Sequence, residues 1–238
     1  VKQMKKSCLF VSIITLMSAG ALFAAGTMKY DFEKETYGTD SRSFSSFTGN
    51  WHIDRDGANL VYAVDGRKWE KGVAAAGVAD KAKGLYGERY AEFLDNLEAY
   101  KYFPLSILKD VPDFRNGTLT VSFKGGSGRI DQAAGIAFNI KPNGDYLVVR
   151  ANALENNLVL FKMVRGSRSS VQWIRNVPTP SNQWHTLKVV VNGKRIEGYL
   201  NGKKYVDYAW KEEIAGKVGL WSKADSYVFF DNFTVEAK

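Results

Sequence analysis

Cysteine is almost absent: the 238 residues contain one, Cys8, and only two histidines, His52 and His185. That scarcity excludes a disulfide framework and the paired Cys-x-x-Cys or His-x-x-x-His ligand sets of zinc sites. No Gly-x-Ser-x-Gly elbow occurs, so a serine nucleophile lacks its usual strand–turn–helix setting. Proline is also scarce, with five residues, and no run of five like charges appears. Proline-rich linkers and basic nucleic-acid-binding tails are thereby excluded. No internal repeat or low-complexity linker divides the chain, so it reads as one domain.

Apart from its beginning, the chain lacks a long hydrophobic run. Lys2, Lys5 and Lys6 precede an apolar stretch from Cys8 to Phe23, followed by Ala24, Ala25 and Gly26. A positive start, a short apolar centre and a small-residue ending are the parts of a secretory signal peptide. The stretch is short for a membrane span and has no basic stop signal after it. Residues 1–26 are therefore expected to be removed on export to a bacterial periplasm or exterior. Removal would take the only cysteine and three lysines, lowering the net charge from +8 to +5.

Period-two patterning dominates the remainder. Leu119, Val121 and Phe123 alternate with Thr118, Thr120, Ser122 and Lys124. Ile136, Phe138 and Ile140 alternate with Ala137, Asn139 and Lys141, and Leu187, Val189 and Val191 alternate with Thr186, Lys188 and Val190. Such alternation predicts strands with one face in a core. Further strands are expected near Tyr30–Glu33, Trp51–Arg55 and Asn59–Asp65. Turn signals recur at Gly125-Gly126, Asn143-Gly144, Arg165-Gly166, Asn192-Gly193 and Asn201-Gly202, where positive φ suits tight hairpins. A long meander of hairpins must pack on a second sheet, giving an all-β antiparallel sandwich. Between Gly66 and Pro104 the pattern changes. Tyr90, Phe93, Leu94 and Leu97 fall at i, i+3, i+4 and i+7, which predicts an amphipathic helix over Glu88–Glu98. The Ala-rich stretch Val73–Ala82 would add a turn or two, so a short helical insertion is expected over the sandwich.

Several segments resemble a known family. They are Asp145–Arg150, Asn152–Asn157, Gln183–Leu187, Tyr199–Lys203, Gly216–Trp221 and Phe230–Phe233. Together they resemble the laminin-G-like jelly rolls, in the bacterial branch grouped with the 3-keto-disaccharide hydrolase domain. The resemblance runs from about Tyr30 to Val235 and implies a concanavalin A-like, two-sheet jelly-roll sandwich with a bias toward carbohydrate. Because this fold hosts lectins, hydrolases and interaction modules, the resemblance leaves activity open.

Candidate chemistry follows from types and spacing. Glu92, Asp95 and Glu98 offer carboxylates of the kind glycosidases pair. Their spacing of three puts them on one side of a helix rather than one face of a strand, so a solvated helix face is the plainer reading. Strand parity puts Tyr146, Val148, Arg150 and Asn152 on the face opposite Leu147 and Val149. Thr118, Thr120, Ser122, Ala137 and Asn139 are expected to join them in a shallow polar groove, with Glu155, Asn156 and Asn157 just past its end. Trp69, Tyr86, Arg89 and Tyr90 on the insertion would overhang it. An aromatic plate beside planar amide, carboxylate and guanidinium groups suits a sugar. The alternative is a packed insertion, with Asn156 and Asn157 forming a turn. Lys162, Arg165, Arg168 and Arg175 concentrate positive charge at one hairpin, suited to a phosphate, sulfate or uronate, or simply to solvation. Asp31, Glu33 and Asp231, where the first and last strands should meet, are the candidate ligands of a structural calcium. The ion would need six to eight oxygens, and ordinary edge hydrogen bonding is the alternative. Three functions stay open: carbohydrate recognition, catalysis on glycosides including 3-keto-glycosides, and a structural or protein-binding role in the envelope.

Overall fold

The alternation is realised in two antiparallel sheets in the computed structural model, which describes residues 26–67, 83–87 and 103–238. One sheet runs in the order β13 (Lys203–Ala209), β12 (Arg195–Leu200), β11 (Trp184–Asn192), β6 (Gly117–Ser127), β15 (Tyr227–Ala237), β4 (Asn59–Asp65), β3 (Trp51–Asp56). Strand β1 (Thr27–Tyr30) also pairs with β15, making eight strands. The other sheet has seven: β10 (Ser167–Arg175), β9 (Asn157–Val164), β8 (Tyr146–Asn152), β7 (Ala133–Ile140), β14 (Lys217–Ser222), β5 (Leu105–Leu108), β2 (Phe44–Thr48). The fold is the all-β jelly-roll sandwich of the concanavalin A-like class.

The core lies between the sheets. Leu119, Val121 and Phe123 from β6 meet Ile136, Phe138, Leu147 and Val149 from β7 and β8, all within one buried cluster. Each such side chain contributes roughly 1.5–3 kcal/mol by leaving water. Tyr62 ties the layers by a polar route. Its buried ring stacks on Phe32 and Trp51, and its hydroxyl meets Asp40 Oδ1 and Ser106 Oγ, both at 2.9 Å.

Turn chemistry follows the sequence signals. Asn201 and Gly202 adopt φ of 50° and 80° between β12 and β13, and Arg165 and Gly166 adopt 46° and 77° between β9 and β10. Positive φ at both central residues matches the strand twist. Three expectations need correction. The first strand ends at Tyr30, because Phe32 turns to φ 58° and buries its ring. Ile140 does not share the face of Ile136 and Phe138. A bulge at Asn139, with φ 53°, flips it to the outer side of the seven-stranded sheet. Thr118, Thr120 and Ser122 belong to the eight-stranded sheet, so they cannot line a groove with Arg150.

Of the insertion, residues 83–86 form one helical turn, from which Leu85 and Tyr86 pack on the outer face of the seven-stranded sheet beside Phe103. The expected helix over Glu88–Glu98 and the turns over Val73–Ala82 lie outside the described residues, as do residues 1–25. Among the described residues, no helix is long and apolar enough to cross a membrane.

A candidate carbohydrate face on the seven-stranded sheet

The parity argument for β8 holds, but the face it creates is less polar than expected. Tyr146 and Val148 join Ala137, Val159, Phe161, Met163 and Trp221 in a second buried cluster, on the side away from the core. Trp221 donates its indole N–H to the Tyr146 hydroxyl at 3.0 Å, closing that part of the face. The polar groups gather at the far end of β8, where Arg150 lies opposite Gly135 of β7 and Val159 of β9. Gly135 is required there. A Cβ at that position would stand 2.8 Å from Val148 Cγ2 and 3.0 Å from Arg150 Cβ.

Arg150 is almost wholly buried. It donates from Nη1 to Asn157 Oδ1 at 2.5 Å and from Nη2 to Glu155 Oε2 at 2.7 Å. Asn157 Nδ2 donates to the same Oε2 at 2.8 Å. Burial opposes the Glu155 charge, but Arg150 and Asn157 outweigh it and hold the carboxyl below its ordinary pKa. Glu155 Oε1 accepts no hydrogen bond from any described residue, and a third of the side chain is in solvent. A held carboxylate with one open oxygen can accept a ligand hydroxyl or take a proton.

Aromatic surface adjoins this carboxylate. Arg150 Cζ lies 5.3 Å from the Phe161 ring centre and 5.8 Å from that of Trp173, and the two rings meet edge to face. Trp173 is 43% exposed, so its indole is an accessible plate beside the polar corner. Arg168 of β10 lies over both Phe161 and Phe103, at 4.6 and 4.7 Å.

Behind the corner is a rigid polar brace. Asn152 is fully buried. Its amide donates to Asp131 Oδ1 at 2.7 Å, and its carbonyl accepts from the Gln132 and Leu154 amides, both at 3.1 Å. Lys223 Nζ lies within 3.0 Å of both Asp131 oxygens. Burial raises the Asp131 pKa despite Lys223, and the Glu155 charge adds to the rise. Asp225 fastens the adjoining loop by accepting from the amides of Arg129, Ile130 and Asp131 at 2.6 to 3.1 Å. Burial works against its charge, but these three donors keep the carboxyl below its usual range.

The expected site residues therefore divide. Tyr86, Tyr146, Arg150, Asn152, Glu155 and Asn157 do share one side of the sheet. Within that group, Tyr146 is capped by Trp221, and Asn152 is a positioning residue whose polar atoms are already engaged. Asn156 turns away with φ 46°. Its backbone carbonyl accepts from Val177 N and its Oδ1 from Thr179 N, so it anchors the next segment. Trp69, Arg89, Tyr90, Glu92 and Asp95 lie outside the described residues. Sequence reading missed Asp131, Trp173 and Lys223. Period two would put Trp173 on the face of Val171, which packs against the core; the bulge between Ser170 and Gln172 turns the indole outward, and nothing local marked Asp131 or Lys223.

The proposed calcium ligands lie near one another: burial raises the Asp231 pKa and the charges of Glu33 and Asp31 add to the rise. Asp231 occupies a bulge in β15, where Asn59 Nδ2 and the amide and side chain of Asn232 donate to it at 2.6 to 3.0 Å. Asp31 Oδ1 accepts from the Glu33 amide at 3.4 Å. Among the described residues, no three His, Cys, Asp or Glu side chains group as metal ligands. His185 is likewise structural, contacting Pro180 O at 2.9 Å and Asn201 Nδ2 at 3.1 Å.

Comparison with known proteins gives this geometry a context. Over 120 residues the chain is 32% identical to the galactocerebrosidase of Salmo salar; the match covers 48% of this chain and spans only 15% of that protein's length. Two solved structures share the fold at low identity. The carbohydrate binding module CBM66 from Bacillus subtilis is 14% identical with a TM-score of 0.57, covering 84% of this chain and 99% of that one. A beta-glucanase of Bacillus licheniformis is 11% identical with a TM-score of 0.55, covering 90% and 99%. The family described as the 3-keto-alpha-glucoside-1,2-lyase-like domain matches residues 106–236, from β5 to the end of the last strand. With more than half of its length matched, the chain belongs to the 3-keto-alpha-glucoside-1,2-lyase-like domain family.

Proposed function

We propose that this protein binds carbohydrate on the outer face of the seven-stranded sheet, at the corner formed by Glu155 and Trp173. One observation carries the reading: Glu155 is held ionised by Arg150 and Asn157, with Oε1 open, beside an exposed indole. A sugar presents hydroxyls in the plane of its ring and C–H bonds on its faces, so it needs this pairing of acceptor and aromatic plate. The family description and the solved structures named as a carbohydrate binding module and a beta-glucanase support it. A glycan array followed by calorimetric titration is the test. Trp173→Ala and Glu155→Gln should each weaken binding about tenfold or more, since a lost charged hydrogen bond costs roughly 1.5–3 kcal/mol. Failure of the chain to bind any glycan would overturn the reading.

A second reading is elimination on a 3-keto-glycoside, favoured by the family description and by the ionised state of Glu155. The 3-carbonyl acidifies the C2 proton. A base takes that proton, the C2–H pair forms the C1=C2 bond, and the C1–O bond breaks with its pair leaving on the aglycone oxygen. Glu155 is the base this geometry offers. Glu155→Gln should then abolish release of the aglycone while leaving folding intact. Export through removal of residues 1–26 is part of the same proposal, and glycans outside the cytoplasm would be its targets.

A further inference from the structure

We infer that the carbohydrate recognised on this face is acidic, with a carboxylate or sulfate held by Arg168. The inference rests on the carbohydrate reading and narrows it to a ligand class.

Charge balance on the face is the starting point. Arg150 is matched by Glu155 and Lys223 by Asp131. Among the described residues, Arg168 and Lys217 form no such ion pair. Arg168 donates no hydrogen bond and forms no ion pair with any described residue, and its Nη1 is sealed from solvent. Its neighbours are the faces of Phe103 and Phe161, at 4.7 and 4.6 Å. Lys217 is 7% exposed, has no acceptor among the described residues, and lies 5.9 Å from the Tyr86 ring centre.

Elsewhere this chain neutralises arginines readily. Arg195 forks onto Asp207 at 2.9 and 2.7 Å, and Arg67 onto Asp65 at 2.8 Å for both contacts, although both arginines are far more exposed. On the sheet face, where burial makes an unmatched cation more costly, no carboxylate of the described residues pairs with Arg168; the charges of Asp131 and Glu155 reach it only through space and oppose the effect of burial. Aromatic rings soften that cost but accept none of a guanidinium's five donors. Burial accordingly depresses the pKa of Arg168, with Arg150 adding to the fall, and that of Lys217. An oxyanion bound in the plane of the guanidinium would satisfy two donors at once and restore charge balance. Phe161 lies under both Arg168 and Arg150, so the anionic site adjoins the Glu155 corner. One sugar residue stacked near Trp173 could therefore be followed by an acidic one at Arg168.

The test compares matched ligands on the full chain by calorimetry: oligogalacturonate against neutral galacto-oligosaccharide of equal length, with sodium sulfate as a small-anion probe. The acidic oligosaccharide is expected to bind about tenfold tighter than the neutral one, with the preference shrinking in 0.5 M salt. Arg168→Gln should erase the preference, and Lys217→Met should reduce it. Equal affinity for the two ligands would overturn this inference and leave the carbohydrate reading standing. Binding of neither ligand would overturn this inference, while the carbohydrate reading falls only if the glycan array also shows no binding. Should Arg168→Gln fail to fold, the ligand comparison and its salt dependence in the unaltered chain decide the matter.

Discussion

The most buried guanidinium of the outer face, that of Arg150, reaches Glu155, one of its more accessible carboxylates, at 2.7 Å. Arg150 itself cannot greet a ligand. Its effect is to fix an anion whose second oxygen can.

Removing that prop should be costly in a graded way. Arg150→Met is expected to lower unfolding free energy by about 2 kcal/mol, less than for a fully buried pair because Glu155 keeps part of its hydration. Glu155→Gln retains acceptor capacity for Arg150 and should cost about 1 kcal/mol. Urea denaturation of the two variants checks the order; a larger loss from Glu155→Gln would contradict it.

The two carboxyls of the corner should give opposite pH dependences. Glu155, lowered in the folded protein, adds stability that is present above its unfolded pKa near 4.5 and is lost as pH falls through its folded value. Asp131, raised above its unfolded 3.8, adds stability that is present below that value and is lost as pH rises through its folded one. Asp131→Asn removes only the second effect. Its stability relative to the unaltered chain should therefore improve from pH 4 to pH 7, and a falling difference over that range would refute the assignment.

Tyr62→Phe deletes the hydroxyl shared by Asp40 and Ser106. Ser106 is left buried with a lost partner, whereas the exposed Asp40 can turn to water, so the loss should be about 1–2 kcal/mol, visible as a lower urea midpoint at unchanged slope. The proposed sugar site, on the far side of the seven-stranded sheet, should keep its affinity.

Gly135→Ala offers a separate probe of how the corner is built. The added methyl meets Val148 and Arg150 inside contact distance, so Arg150 must shift. A stability loss of about 1–3 kcal/mol is expected, together with weakened glycan binding. Unchanged binding would show that Arg150 placement is not required.

Processing can be read directly. Expression in a bacterium with an export pathway should yield a periplasmic or secreted product lacking residues 1–26, with net charge reduced by the loss of Lys2, Lys5 and Lys6. Intact mass after fractionation decides it.

Much of the architecture was legible because it depends on local pattern. Leu119, Val121 and Phe123 face inward as their alternation requires, and Asn201-Gly202 turns as its backbone freedom allows. What was not legible depends on where strands go after they turn. Thr118 and Arg150 both sit opposite apolar neighbours, but period two cannot say which sheet each strand joins. The bulge at Asn139 shifts parity by one residue with no composition signal beyond a single Asn, so Ile140 was assigned the wrong side. The site was half legible for the same reason. Arg150, Glu155 and Asn157 are sequence neighbours across one turn, whereas Asp131, Trp173 and Lys223 arrive from three other elements.

The Asp225 carboxylate also has a consequence for timing. It binds three successive amides of the loop between β6 and β7 from within the loop between β14 and β15, and each of these loops passes from one sheet to the other. The rim beside the Glu155 corner is thus assembled before any ligand arrives, and little ordering remains to be done on encounter. Association should run at a rate set by diffusion and orientation, with selectivity expressed in how slowly the correct saccharide leaves.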